Sequence, residues 1–201
     1  MPSLGKKEFF ANEGGAKFLH QNEKAEPGYY SVKLEDDRIL AELTATERVG
    51  FHRYNFPLAR KVFMTLDLVW RDKIVESRAE KGIYLKIVSD KRIEGYRRSA
   101  SWSKNQKVYF VAEFSRPFYP TVINSRDHAT TTTHSIEGPL SSVYGNSIKA
   151  TFEFESAGRT ELLIKVAISN VSIEGARKNL EAELPGWDFD KVRADAKAAW
   201  N

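Results

Sequence analysis

The side chains that could do chemistry in this chain form a few separate groups. His20 and Glu23 stand close together, just before the turn-forming dipeptide Pro27-Gly28. A carboxylate accepts hydrogen bonds, and an imidazole can donate one and accept another, each in a fixed direction, which suits the hydroxyl groups of a sugar. The pair is therefore a candidate for shaping a sugar site. A local turn network that holds the entry to the next strand is the alternative.

A second group combines basic and aromatic side chains. Arg97 precedes Trp102 by a few residues, at the end of a predicted strand. An aromatic ring can stack on the C–H face of a sugar, and a guanidinium fork can bind hydroxyl or carboxylate groups. Packing within a sheet, or docking against another domain, explains the same residues. Lysines that follow Arg98 could indicate a nucleic-acid surface, but no recognition motif accompanies them, so we predict no nucleic-acid partner.

Residues that could catalyse a reaction or bind a metal are isolated. Glu13, Glu23 and Asp127 fall in predicted loops, where capping or ion pairing explains a carboxylate as well as catalysis does. His128 and His134 lack helical i,i+4 spacing, and no third ligand is placed near them. Cysteine is absent, which excludes disulfides and thiolate nucleophiles. We therefore predict no catalytic residue, no metal site and no cofactor within this chain.

Composition sets the remaining limits. The chain has 201 residues, 41% of them hydrophobic, and a net charge of +4. No apolar run approaches the roughly 20 residues that a membrane span needs, so we predict no span. The first ten residues lack the apolar segment of a signal peptide. The length fits one large domain or two small ones.

The elements that would position these residues are predicted to be strands. Alternation of apolar and polar residues is clear over 38–46 and 48–56, and it continues in later segments. Further strands are predicted over 29–35, 60–70, 82–89, 92–101, 107–115, 147–155 and 160–172. Short connections without intervening helices favour antiparallel pairing. The predicted fold is all-β, a large antiparallel β-sandwich of the supersandwich type. Residues 1–28 are predicted to be mostly irregular, and 116–146 to be a long connection with at most a weak strand.

The end of the chain changes character. Ser172 can cap one helix, which Pro185-Gly186 would end, and Asp188 can cap a second. We predict a β-sandwich domain over 1–171 and a helical linker over 172–201. Trp187 and Trp200 lie in the linker, where burial at a domain interface is the physical reason for large rings. The last helix has no terminating signal, so we expect the linker to lead to a further domain.

Several long strings carry a family resemblance. EKAEPGYYSVKL (23–34), ELTATERVGFHRYNFP (42–57), IEGYRRSASWSKNQKVYFVAEFSRPF (93–118) and the segment 171–201 resemble the N-terminal domain of glycoside hydrolase family 92. Members of that family are calcium-dependent exo-α-mannosidases. The resemblance covers nearly the whole chain in order. Met1 resembles an internal methionine of the family, so we expect the chain to be truncated at both ends.

The resemblance implies a two-module enzyme. The sandwich would pack, through the linker, on a C-terminal (α/α)6 catalytic domain, with the active site at their junction. The catalytic acid, the catalytic base and the calcium ligands would come from that domain. His20 and Glu23 would then lie near the junction, although the family usually has serine where this chain has Leu19. The resemblance also implies an α-mannoside as ligand and a periplasmic, extracellular or cell-surface location.

The sequence therefore predicts a non-catalytic N-terminal module of an inverting, calcium-dependent α-mannosidase. Its predicted substrate-binding residues are His20, Glu23, Arg97 and Trp102. A free-standing carbohydrate-binding or interaction module is the alternative, and it would need an exposed aromatic platform on the sandwich.

Overall fold

The computed structural model of the chain describes residues 1–5, 15–68, 82–99, 106–127, 130–136, 142–145, 148–158 and 160–200. Over 120–127 and 130–136 the backbone alone is described. The strands are β1 (Pro2–Ser3), β2 (Phe18–Glu26), β3 (Tyr29–Leu34), β4 (Ile39–Ala45), β5 (Val49–Asn55), β6 (Lys61–Asp67), β7 (Ile83–Ser89), β8 (Arg92–Ser99), β9 (Gln106–Phe114), β10 (Tyr119–Asp127), β11 (Thr130–Ile136), β12 (Ser142–Gly145), β13 (Ile148–Glu155) and β14 (Glu161–Ser169). The helices are α1 (Ile173–Glu183) and α2 (Phe189–Ala199).

The strands form two antiparallel sheets. The smaller sheet has the order β1-β6-β13-β10-β11, and the larger, 9-stranded sheet has the order β12-β7-β8-β9-β14-β5-β4-β3-β2. Hairpins such as β3–β4 and β7–β8 join neighbours in sequence. This arrangement confirms the prediction of a large antiparallel β-sandwich followed by helices.

The structure departs from the sequence prediction in two segments. Within 1–28, predicted to be mostly irregular, residues 18–26 form β2, which pairs with β3 alone at the edge of the larger sheet. Most residues of β2 are exposed, so the segment carries no alternation that sequence could reveal. The predicted connection 116–146 contains β10, β11 and β12. These strands were not predicted because the segment is rich in polar residues and lacks apolar alternation.

Alternation places successive side chains of the larger sheet in different cores. In β14, Leu162 and Ile164 pack in the core between the sheets, whereas Leu163 contacts the cluster beneath the helices. Phe114 and Phe152 meet across the sandwich with their ring centroids 5.4 Å apart. Burying one such side chain is worth about 1.5–3 kcal/mol, so these inward-facing rows supply the main driving force for the fold.

The two helices begin where the sequence predicts. The Ser172 hydroxyl accepts a hydrogen bond from the Gly175 amide at 2.9 Å, and the Asp188 carboxylate accepts one from the Lys191 amide at 2.9 Å. Such caps satisfy amides that have no partner within a helix, and each is worth about 1 kcal/mol.

Both helices pack on the outer face of the larger sheet. Leu180 of α1 and Phe189 of α2 are almost completely buried there, against Phe51 of β5. The Phe51 and Phe189 ring centroids are 5.3 Å apart. The helical segment and the sandwich therefore share a second hydrophobic core. Neither helix of the described residues is long and apolar enough to cross a membrane.

Candidate functional site

His20, Glu23 and Tyr30 form a hydrogen-bonded cluster on the β2–β3 hairpin. His20 Nδ1 lies 2.9 Å from Glu23 Oε2, and the Tyr30 hydroxyl donates to Glu23 Oε1 at 2.6 Å. The hairpin turn is made possible by Gly28, whose φ of 72° is in the left-handed region that favours glycine. Tyr30 packs against the core between the sheets, while His20 is exposed at the edge. The cluster is therefore anchored at one end and open at the other.

Glu23 sets the charge of this cluster. The hydrogen bond from Tyr30, and then the contact with His20, hold the pKa of the Glu23 carboxyl below its usual range. The same hydrogen bond from Tyr30 to Glu23 raises the pKa of the Tyr30 phenol to about 12. At neutral pH the cluster thus presents an ionised carboxylate next to an imidazole and a protonated phenol. Such a set can accept and donate hydrogen bonds to hydroxyl groups, but Glu23 is not a proton donor.

Arg97 lies in a different region of the sheet. It lines a cavity of about 520 Å³ between the two sheets, together with apolar residues that include Met64 and Phe110. Six strand-to-strand steps separate β8, which carries Arg97, from β2. At about 4.8 Å per step this is roughly 29 Å along the sheet, too far for one sugar ring to contact both Arg97 and His20.

Several predicted residues lie outside the described side chains. Trp102, Glu13 and His128 belong to segments that the structure does not describe, and Asp127 and His134 are described by backbone alone, in β10 and β11. Among the side chains that are described, no three His, Asp or Glu residues group in a way that could hold a metal ion.

The two tryptophans of the helical segment have different surroundings. The Trp187 ring packs 6.1 Å from the Phe51 ring, and the Lys165 ammonium lies 4.0 Å from its centroid. Trp187 is therefore partly covered by the sandwich itself. Trp200, at the end of α2, is 74% exposed.

Buried polar contacts fasten α1 to the sheet. Lys165 projects from the centre of β14, with only 2% of its side chain exposed, and donates to the Leu184 carbonyl at 3.0 Å. Glu94 of β8 accepts hydrogen bonds from Arg177 of α1 at 2.6 and 2.8 Å. Burial alone would lower the pKa of Lys165, and the Glu113 carboxylate partly offsets that effect.

Ion pairs fasten α2 in the same way. Arg53 of β5 bridges Glu42 of β4, at 2.8 Å, and Asp190 of α2, at 3.1 Å. The Arg193 guanidinium lies 3.6 Å from the centre of the Tyr29 ring. Because Arg53 holds Glu42 as well, the pKa of the Glu42 carboxyl lies below its usual range despite the opposing effect of burial. The helical segment is thus held by charged groups at both helices as well as by its apolar core.

A row of tyrosines on the larger sheet escaped the sequence analysis. Tyr144, Tyr84, Tyr96 and Tyr109 occupy directly opposed positions in four neighbouring strands. Tyr144 lies 60 positions after Tyr84 in the sequence, and the strand register brings all four residues into line.

The comparisons with known proteins identify the class of protein that this fold belongs to. Residues 1–169 match the glycosyl hydrolase family 92 N-terminal domain. The chain therefore belongs to glycosyl hydrolase family 92, as its N-terminal domain, which confirms the resemblance read from the sequence.

Individual relatives agree with this assignment. An uncharacterized secreted glycosidase from Arthroderma benhamiae is 28% identical over 210 residues, covering 98% of this chain and 27% of the relative. A family 92 alpha-mannosidase from Bacteroides thetaiotaomicron superposes with a TM-score of 0.81 at 27% identity, covering 99% of this chain and 27% of that protein. A family 92 inverting mannosidase from the same species gives a TM-score of 0.80 at 24% identity, covering 100% of this chain and 25% of that protein, and supports the fold alone. The chain spans about a quarter of the length of these relatives.

Proposed function

We propose that this chain is the non-catalytic sandwich module of an enzyme that removes terminal α-linked mannose. In this proposal it shapes the substrate site where it meets a C-terminal (α/α)6 catalytic domain. The division into a sandwich over 1–171 and a linker over 172–201 belongs to the same proposal.

The observation that carries the proposal is the arrangement around the end of the family match. The match covers residues 1–169, and the helices that follow are fastened to the sandwich by Lys165, Glu94 and Arg53. Trp200 is left exposed at the end of α2. A large exposed ring on a firmly held helix suits docking against a further domain. Trp187 would border the same interface.

Three described carboxyl groups, those of Glu23, Glu42 and Glu94, are poorly suited to act as a catalytic acid. Inverting hydrolysis needs a protonated acid and a carboxylate base roughly 6.5–9.5 Å apart. Glu42 and Glu94 are buried in ion pairs with arginines, and the pKa of Glu23 is lowered. We therefore assign the acid and the base to the catalytic domain. Calcium, which the resemblance implies, belongs to that domain in this proposal.

The substrate-facing role is assigned to the His20–Glu23–Tyr30 cluster. Its carboxylate and imidazole are oriented by hydrogen bonds, and its outer end is open. Arg97 and Trp102 remain secondary candidates for ligand contact. Export to the periplasm or the cell exterior is proposed as well, supported by the relative named as a secreted glycosidase.

The test is a domain replacement. The chain would replace the N-terminal quarter of the Bacteroides thetaiotaomicron α-mannosidase, and hydrolysis of an aryl α-mannoside would be followed with and without a calcium chelator. We expect the chimera to hydrolyse the substrate and the chain by itself to be inactive. The variants His20→Ala and Glu23→Gln should raise KM in the chimera. Glu47→Gln, which changes an exposed carboxylate in the connection between β4 and β5, is the matched control.

Two results would contradict this proposal. Hydrolysis by the 201-residue chain by itself would show that it carries its own acid and base. Unchanged kinetics of the His20→Ala and Glu23→Gln chimeras would show that the cluster only holds the hairpin. If the chimera fails to fold, titration of the chain with mannose, followed by NMR shifts of the His20 ring, tests the cluster directly.

A free-standing carbohydrate-binding module is the second candidate. The tyrosine row favours it, because it is an aromatic surface on the sandwich that neither helix covers completely. Mannoside binding by the chain, together with an inactive but folded chimera, would favour this candidate.

A further inference from the structure

The tyrosine row is a continuous aromatic surface that crosses four strands. Tyr144 of β12 opposes Tyr84 of β7, Tyr84 opposes Tyr96 of β8, and Tyr96 opposes Tyr109 of β9. The ring centroids of successive neighbours are 4.5, 5.7 and 5.6 Å apart. Three strand steps of about 4.8 Å give the row a length of roughly 14 Å.

The row lies on the outer face of the larger sheet, the face that also carries the helices. Strand neighbours of these tyrosines, such as Ile83 and Phe110, point into the core between the sheets. Glu94, two positions before Tyr96 and on the same face, contacts α1. Helix α1 thus covers the sheet as far as Glu94. The tyrosines beyond Glu94 are partly exposed, and Tyr144 is 59% exposed.

The chemistry of the row is mixed. Each side chain has an apolar ring and a hydroxyl group, and no hydrogen bond joins these hydroxyls to another described residue. The Lys107 ammonium lies 5.0 Å from the centre of the Tyr96 ring, so one edge of the row is basic. The row therefore offers stacking surface and hydrogen-bonding groups along one line.

We propose that this row binds a glycan chain. A sugar ring can place its C–H face against a phenol ring while its hydroxyl groups bond to neighbouring tyrosine hydroxyls. The length of the row accommodates more than one sugar unit. The choice of a glycan as the ligand rests on the proposed function in a carbohydrate-active enzyme. The aromatic surface itself is a feature of the structure, whatever the function is.

The hydroxyl groups favour a glycan over a protein partner. A dry protein interface would have to satisfy four phenol hydroxyls, and burying one without a partner is costly. A glycan carries hydroxyl groups along its whole length and can match each of them.

The test is affinity electrophoresis of the 201-residue chain in gels that contain soluble yeast mannan. Mannan should retard the native chain. We expect Tyr144→Ala and Tyr84→Ala each to weaken binding about threefold to tenfold, the effect of losing one aromatic contact. Tyr96→Phe, which keeps the ring and removes the hydroxyl, should weaken binding less. Tyr119→Ala, which removes an exposed tyrosine from the smaller sheet, is the matched control.

Other outcomes would overturn the proposal. No retardation of the native chain by mannan, or equal retardation of the row variants and the Tyr119→Ala control, would show that the row is not a glycan surface. Thermal unfolding of each variant separates loss of binding from loss of fold. If the folded chain does not bind mannan but the chimera hydrolyses mannosides, this inference is refuted and the proposed function stands.

Discussion

The Lys165 ammonium donates a hydrogen bond to the Leu184 carbonyl at 3.0 Å and so joins the centre of the larger sheet to the end of α1. A second carbonyl, that of Pro185, lies 3.4 Å away. The last carbonyls of a helix have no partner within it and carry partial negative charge. The Lys165 ammonium therefore satisfies carbonyls at the end of α1, and hydrogen bonds to these carbonyls compensate for the burial of the ammonium group.

Replacing Lys165 with methionine should destabilise the chain. The substitution keeps the apolar stem but leaves two carbonyls without their donor, for which we expect a loss of about 1–2 kcal/mol in the free energy of unfolding. Urea unfolding followed by tryptophan fluorescence would measure it, since Trp187 packs beside Lys165. Lys191→Met removes one partner of the exposed Lys191–Asp195 ion pair on α2 and should leave the midpoint of urea unfolding unchanged. A native-like midpoint for Lys165→Met would mean that the contact contributes nothing.

Gly28→Ala should loosen α2 as well as the hairpin. A Cβ at Gly28 would approach the Ala196 Cβ to 2.7 Å, and the residue has a φ of +72°. The backbone strain costs about 1 kcal/mol, and the clash with α2 should add a similar amount. Gly158→Ala is the matched control, because it has a φ of +78° and nothing within 4 Å. Limited trypsin digestion at Lys197 should be faster in Gly28→Ala only, and equal rates in the two variants would exclude the clash.

The Glu94–Arg177 pair should contribute more to stability than its exposed neighbour. Glu94 has 3% of its side chain exposed, whereas Glu174, which also contacts Arg177, has 59%. We expect Glu94→Ala to lower the free energy of unfolding by about 2 kcal/mol and Glu174→Ala by about 0.5 kcal/mol. A double-mutant cycle with Arg177→Ala, measured by urea unfolding, gives the coupling of each pair. Equal coupling energies would contradict this ranking.

The sequence predicted those parts of the molecule that have local signals. Apolar–polar alternation in strands such as β5 and β14 predicted the sandwich, and the capping residues Ser172 and Asp188 predicted both helices. Strand β2 was not predicted, because an exposed edge strand buries neither face and so shows no alternation of apolar and polar residues. The spacing of His20 and Glu23 anticipated their contact, but their partner Tyr30 is supplied by hairpin pairing.

The tyrosine row could not be predicted for a related reason. Tyr84 and Tyr144 lie 60 positions apart in the sequence and meet only through the register of β7 and β12. The lysine within the apolar run of β14 is a signal that could have drawn attention to Lys165, but the carbonyl that it contacts belongs to the end of a helix. Contacts that depend on tertiary packing are not encoded in spacing along one element.

His52 should make stability depend on pH between the two pKa values of its ring. Its ring faces the cavity between the sheets, and its Nδ1 lies 2.9 Å from the Tyr54 hydroxyl. Burial, with a smaller contribution from the N-terminal ammonium, lowers the pKa of His52 from 6.5 to about 4. Between these values the unfolded chain binds a proton that the folded chain does not. Stability should therefore fall as the pH drops from 6.5 to about 4, by about 3 kcal/mol in all.

The variant His52→Gln isolates this effect. Glu42 and Glu183 have pKa values lowered from 4.5, so the stability that they contribute is lost as the pH falls from about 4.5 through their folded-state pKa values, and equally in both proteins. The difference in the free energy of unfolding between the native chain and His52→Gln should thus change between pH 6.5 and 4 and stay constant below. Urea unfolding at several pH values in this range measures that difference. Parallel curves for the two proteins would show that the His52 ring is protonated equally in the folded and unfolded states.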